Sequence, residues 1–223
     1  MNKFIIIFLI MNSYFLYCKS NLEKINALFE NANKLYNDGK YLEANIIYRD
    51  LTSSNIISKD LYYNLASSYL ALGSNGYAIL YYEKSLNIAP FDKEIKSTIH
   101  LLTGNYNYNS LLIIIMYIFL VLFLALFTYL IVSFFLNTKI NKYLIILSIL
   151  FLIPVIISNK YINDDYIISI NTTNLYSGRS LISEIISIIP EGKKLRVLEE
   201  YTDWYYVKGN FNGWINKSYA KKI

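Results

Sequence analysis

The chain has a single cysteine, Cys18, and a single histidine, His100. That scarcity closes off much of the chemistry that 223 residues could carry. A structural zinc site needs about four Cys, His or carboxylate ligands, and a disulfide needs a second thiol. A Cys–His nucleophile pair would have to join residues on either side of an expected cleavage site. No G-x-S-x-G, H-E-x-x-H, G-x-x-x-x-G-K-[ST] or G-x-G-x-x-G motif occurs. Asp164 and Asp165 are adjacent carboxylates, read as a solvated turn after an apolar segment rather than an acid–base pair. His100, with no second histidine beside it, reads as a packing or surface residue. Catalytic, metal and cofactor residues are therefore all expected to be none, and the protein is expected not to be an enzyme. Charge is scarce too, at 17% of residues. The net charge is +5, yet the lysines are dispersed and form no basic stripe, so nucleic acid is not an expected partner.

What the chain has instead is apolar sequence, 55% of it, gathered into blocks near positions 4–17, 111–136 and 143–158. Such clustering predicts a membrane protein with soluble parts, whose first partner is the lipid bilayer. The first block follows Met1, Asn2 and Lys3, has the length of a secretory-signal core, and ends at small residues, which predicts a signal peptide over 1–20. Cleavage after Ser20 is preferred, because the bulky Tyr17 disfavours lipidation of Cys18. Lipidation and an uncleaved anchor remain the alternatives.

The second block, 111–136, has no charge and is longer than a ~30 Å hydrocarbon layer requires. The third, 143–158, is short, about 24 Å as a helix, and is lengthened if Lys142 snorkels to the interface. Between them lies "NTKINK", residues 137–142, so the two blocks predict an antiparallel transmembrane hairpin. An export signal places residues 21–110 outside the cytoplasm. Independently, Lys139 and Lys142 mark 137–142 as the cytoplasmic loop, since short inside loops carry the lysine excess. Both arguments put the soluble parts on the extracytoplasmic face, with linkers at 104–110 and 159–165.

Between signal and hairpin the sequence repeats with a period of 34. Ala32 falls on Ala66, Leu35 on Tyr69, Gly39 on Gly73, Ala44 on Ala78 and Tyr48 on Tyr82. Small residues let paired helices approach, large ones fill the gap, and the glycines fit the turn. Pro90 closes the second unit. These positions resemble the tetratricopeptide repeat, giving a domain at 21–103 with repeats 25–58 and 59–92. A capping helix follows at 92–103, with Asp92 as N-cap and Ile95, Ile99 and Leu102 on one face. The resemblance implies a peptide-binding groove lined by Phe29, Asn33, Tyr36, Asn37, Tyr63, Ser67 and Leu70. Asn33 and Asn64 stand where some members hold a terminal carboxylate, but Phe29, Glu94 and Thr98 replace the accompanying basic residues. The alternative is that the groove is filled by another part of the chain or only spaces the hairpin.

After the hairpin the pattern turns strand-like: "YIISI", "LISEIISII", "KKLRVLEEY", "DWYYVKG" and "NGWINK". Ile189-Pro190-Glu191-Gly192 reads as a type I turn. The ordered motifs "NLYSGRS", "PEG", "LRVLEE", "DWYYV" and "GWI" resemble the bacterial SH3-like domain (SH3b), here 166–223. That resemblance implies a peptide or cell-wall ligand held by Tyr176, Arg179, Trp204, Tyr205 and Trp214. For Trp204 and Trp214 the preferred alternative is that both rings pack in the barrel core.

The expected fold class is thus a multidomain membrane protein: all-α tetratricopeptide hairpins, a two-helix transmembrane hairpin and an all-β SH3-like barrel. In this order the segments resemble the BatE-type family of the bacterial aerotolerance (Bat) operon. That resemblance implies a scaffold at the bacterial inner membrane, multi-pass, with von Willebrand A-type membrane proteins as partners and a link to oxidative-stress tolerance. An envelope anchor whose barrel grips peptidoglycan is the competing reading.

Overall fold

A computed structural model describes residues 21–104, 110–136, 142–162 and 165–223. The signal segment with Cys18, and "NTKINK" through Asn141, lie outside the described residues. Among the described residues, seven helices precede an antiparallel sheet.

The first helix, α1, is described from residue 21 to 37, and α2 follows at Tyr41–Ser53. Then come α3 (Lys59–Ala71), α4 (Asn75–Ile88) and α5 (Lys93–Thr103). α2 and α4 begin 34 residues apart, and the turns before them place Gly39 and Gly73 at the same φ of +77°. A Cβ is strained at that angle, which is why glycine recurs at this spacing. The alanines do what the repeat pattern requires: Ala32, Ala44, Ala66 and Ala78 are fully buried between helices. One core gathers Ala32, Ala44, Tyr48, Leu51, Leu61 and Leu65, and the next Ala66, Ala78, Tyr82, Leu86, Ile95 and Ile99. α5 starts at Asp92, whose carboxylate accepts from the Glu94 and Ile95 amides at 3.0 and 3.2 Å and from Lys59 Nζ at 3.1 Å.

α6 (Ser110–Phe135) and α7 (Lys142–Ile162) pack side by side. Phe119 meets Phe151 with ring centroids 5.8 Å apart. Ser133 on α6 and Ser148 on α7 are buried while most described neighbours face outward, so small residues make the seam. Two spans are expected from sequence, but only one described helix is long and apolar enough to cross a membrane, Ile113–Phe135. Among the described residues α7 contributes a shorter apolar helix, Lys142–Ile156. The helix itself runs four residues past Ser158, through Asn159 and Lys160, with Pro154 inside it.

Seven strands close the chain: β1 (Tyr166–Ser169), β2 (Thr173–Tyr176), β3 (Ile185–Ile189), β4 (Lys194–Glu200), β5 (Trp204–Lys208), β6 (Gly213–Asn216) and β7 (Ala220–Lys222). They form one sheet in the order β3-β2-β6-β5-β4-β1-β7, with every adjacent pair antiparallel, consistent with an SH3-like domain. Ile167, Leu175, Ile189, Leu195, Tyr205, Val207, Ile215 and Ala220 fill its core. The β3–β4 turn lies one residue later than sequence predicts. Lys193 N donates to Pro190 O, and Gly192, third in the turn, takes φ +77°. A type I turn has no positive φ at that place, so the glycine and not the proline sets the register.

The backbone hydrogen bond from Ile95, helped by Lys59, holds the Asp92 carboxyl below its ordinary value. A depressed carboxylate stabilises the fold fully above its unfolded value near 3.8 and loses that contribution as pH falls through the lower folded value. Asp92→Ala is expected to cost about 1 kcal/mol at pH 7. The gap from wild type should shrink toward pH 3, as followed by thermal melts of far-UV circular dichroism.

Candidate functional site

Alternation along β5 and β6 sorts the barrel's aromatic residues. In an antiparallel sheet, residues directly opposite share a face and successive residues do not. Tyr176 lies opposite Trp214, Trp214 opposite Tyr206, and Trp204 opposite Asn216. Tyr176, Trp204, Tyr206 and Trp214 therefore share the outward face, while Tyr205, Val207 and Ile215 point into the core.

On that face the rings touch. Trp214 lies 4.8 Å from Tyr206 and 5.2 Å from Tyr201, and Tyr176 meets Trp204 edge-on at 5.7 Å. Arg179, exposed on the β2–β3 connection, lays its guanidinium over Tyr201 at 4.2 Å and Trp214 at 5.4 Å. Tyr201 is held from its other end, its hydroxyl donating to Glu199 at 3.2 Å. The result is an aromatic platform, half-buried at Trp204, Tyr206 and Trp214, exposed at Tyr201 and buried at Tyr176, with a cation over it and a carboxylate at its rim. Such a surface can stack on flat or weakly polar groups and pair a carboxylate at Arg179.

Of the five residues read from sequence, Tyr176, Arg179, Trp204 and Trp214 lie on or over this face. Both tryptophans are half-buried there and neither belongs to the core cluster. Tyr205 is 7% exposed, inside the core, with Lys217 Nζ 4.9 Å from its ring centre. It cannot share a face with Trp204, its chain neighbour, so it is set aside. Tyr201 and Tyr206 belong to the platform and were missed. The signal for Tyr206 was present: two residues from Trp204, it had to share its face.

The helical groove is a second candidate, and much of its polarity is already spent. Asn33 Oδ1 accepts from Tyr48 at 2.7 Å and from Asn64 at 2.9 Å. Tyr63 donates to Glu94 at 2.8 Å, and the Ser67 and Tyr82 hydroxyls share a bond of 2.9 Å. Burial pushes the Tyr48 phenol up to about 12, and burial together with Glu94 raises Tyr63 further still. Both therefore stay protonated donors at physiological pH. Phe29, Tyr36 and Leu70 are half-buried against the two helical cores, and Asn37 is exposed at the end of α1.

The SH3-like sheet defines the class of the C-terminal unit. Residues 171–221 match the family described as Bacterial SH3 domain, a stretch that takes in β2 to β6 and the start of β7, and neither β1 nor any helix. No curated protein matches the chain.

The core and platform positions should separate by mutation. Tyr205→Ala is expected to cost about 3 kcal/mol and to unfold the barrel well before wild type in urea. Trp214→Ala, which strips the platform and leaves the core intact, should cost about 1 kcal/mol. Tryptophan fluorescence, retained by Trp204 in either variant, follows both transitions.

Proposed function

We propose that the protein is a non-enzymatic, membrane-anchored scaffold, whose barrel platform binds a peptide-like ligand and whose helical groove binds protein partners. The single observation that carries this reading is the cation-capped platform of Arg179, Tyr201, Tyr206 and Trp214 on a barrel that matches the Bacterial SH3 domain. That domain is consistent with peptide or cell-wall binding. Rigid rings offer contact area at little cost in rotamer entropy, as binding surfaces need.

In this reading α6 and α7 form a membrane hairpin. Support comes from the apolar length of α6, the Ser133–Ser148 seam, and Lys142 lying 5.6 Å from the Tyr143 ring centre. A lysine and a tyrosine at a helix end suit a headgroup layer and extend the short apolar stretch of α7. Both soluble modules then face the extracytoplasmic side of a bacterial inner membrane. The 34-residue repeat fits tetratricopeptide hairpins. The segment order fits the aerotolerance-operon scaffolds, with von Willebrand A-type membrane proteins as partners.

The platform also favours a second reading, a wall anchor, because clustered Trp and Tyr rings beside an Arg suit sugars bearing short acidic peptides. The full chain in detergent separates the two. As a scaffold, it should retain von Willebrand A-type proteins in affinity capture from solubilised membranes and fail to sediment with purified peptidoglycan. Arg179→Ala and Trp214→Ala should each weaken ligand binding at the platform about tenfold. Sedimentation of wild type but not Trp214→Ala with peptidoglycan would give the wall anchor instead. Failure to bind either would sink both.

A further inference from the structure

We infer that the barrel carries a second docking surface, away from its aromatic platform, whose partner is the outer face of α4 in the same chain, so that helical module and barrel act as one body. Four features of α4 find their use against the barrel.

The first is Gly76, in the opening turn of α4. Glycine is a poor helix former, and Gly76 is not among the residues at positive φ, so the local fold does not ask for it. The barrel does: a Cβ there would lie 2.6 to 2.8 Å from backbone atoms of Ile170. The second is the missing cap. Ser74, at the N-cap, makes no side-chain bond to the helix. The Gly76 amide instead donates to the carboxylate of Glu191, 115 residues away. A helix N-terminus favours an acid, and here the barrel supplies it.

Ile79 and Leu80 are the third. The inward face of α4, with Ala78, Tyr82 and Leu86, packs in the helical core. Ile79 and Leu80 are nevertheless only 3% and 2% exposed, packed with Ile168 and Ile223 of the barrel. The fourth is Glu83, whose side chain is 4% exposed and paired at 2.8 Å with Lys194 of β4. A buried carboxylate needs such a partner. Positions 76, 79, 80 and 83 follow helical spacing, so they form one stripe.

The opposing surface is built as deliberately. Ser169, fully buried, donates its hydroxyl to Pro190 O at 2.6 Å and accepts the Lys193 amide at 2.9 Å. These bonds pin the turn that presents Glu191. In the same turn, a side chain on Gly192 would collide with Ile79.

Docking on α4 leaves both the groove residues, on α1 and α3, and the aromatic platform uncovered. It also constrains the membrane segment. Two modules in contact lie on one side of a bilayer, so the chain between them crosses an even number of times. If α6 crosses, α7 must return. That consequence rests on the membrane reading above, whereas the docking does not.

Hydrogen–deuterium exchange on the full chain in detergent micelles, with no bilayer present, tests the docking alone. Gly76→Ala improves α4 as a helix and should leave helical circular dichroism intact. Exchange at position 76 and across 168–170 and 190–193 should nonetheless accelerate more than about tenfold. Glu83→Lys alone should do the same, and Glu83→Lys combined with Lys194→Glu should restore protection. Unchanged exchange in Gly76→Ala and Glu83→Lys, or no restoration in the double variant, would overturn the proposal.

Discussion

The contact on which the rest of the structure depends is the covering of one stripe of α4 by the edge of the barrel. Without it, α4 would begin uncapped, expose Ile79 and Leu80 to water and leave Glu83 without Lys194. The energetics combine apolar burial, one charge-assisted cap and one ion pair in which only the carboxylate is buried, in the same small area. Such a pair contributes less to net stability than to register, because the buried Glu83 carboxylate is costly once Lys194 moves away. Register is what a body with two recognition faces needs, since it fixes the angle between them.

That geometry gives the proposed function its form. The groove of α1 and α3 and the platform of β2, β5 and β6 are separate surfaces, chemically unlike each other. The groove is neutral to acidic, with Asn33, Asn64 and Glu94 already bonded internally. The platform offers Arg179 above the Tyr201 and Trp214 rings. Two unlike surfaces on one body suit a protein that brings different molecules together beside a membrane.

Local features were legible in the sequence because local physics sets them. The 34-residue period located the helical turns through Gly39 and Gly73, where only glycine takes the backbone angle without strain. The start of α5 at Asp92 could be read from capping chemistry alone. Most strands could be read as well, but the three-residue β7 and the polar β2 carry too weak an alternation. Tyr205 and Tyr206 carry the same ring, so only the strand period separates them, and a single-residue slip moves a side chain to the opposite face. The shorter apolar stretch of α7 was visible as composition, while its helical extension to Ile162 was not. The docking of Gly76 against Ile170 had no local signal at all. A glycine in a helix reads as a small defect until the backbone that fills the space beside it is known.

The central claim is that both modules stand together on one side of the membrane. Single cysteines at Asp38, in an exposed turn of the helical module, and at Asn210, in an exposed turn of the barrel, test it most directly. Each is placed in a Cys18→Ser background and treated with a membrane-impermeant thiol reagent on sealed vesicles of known orientation. The account predicts labelling of both positions from the extracytoplasmic side and of neither from the other. Labelling of the two positions from opposite sides would contradict it.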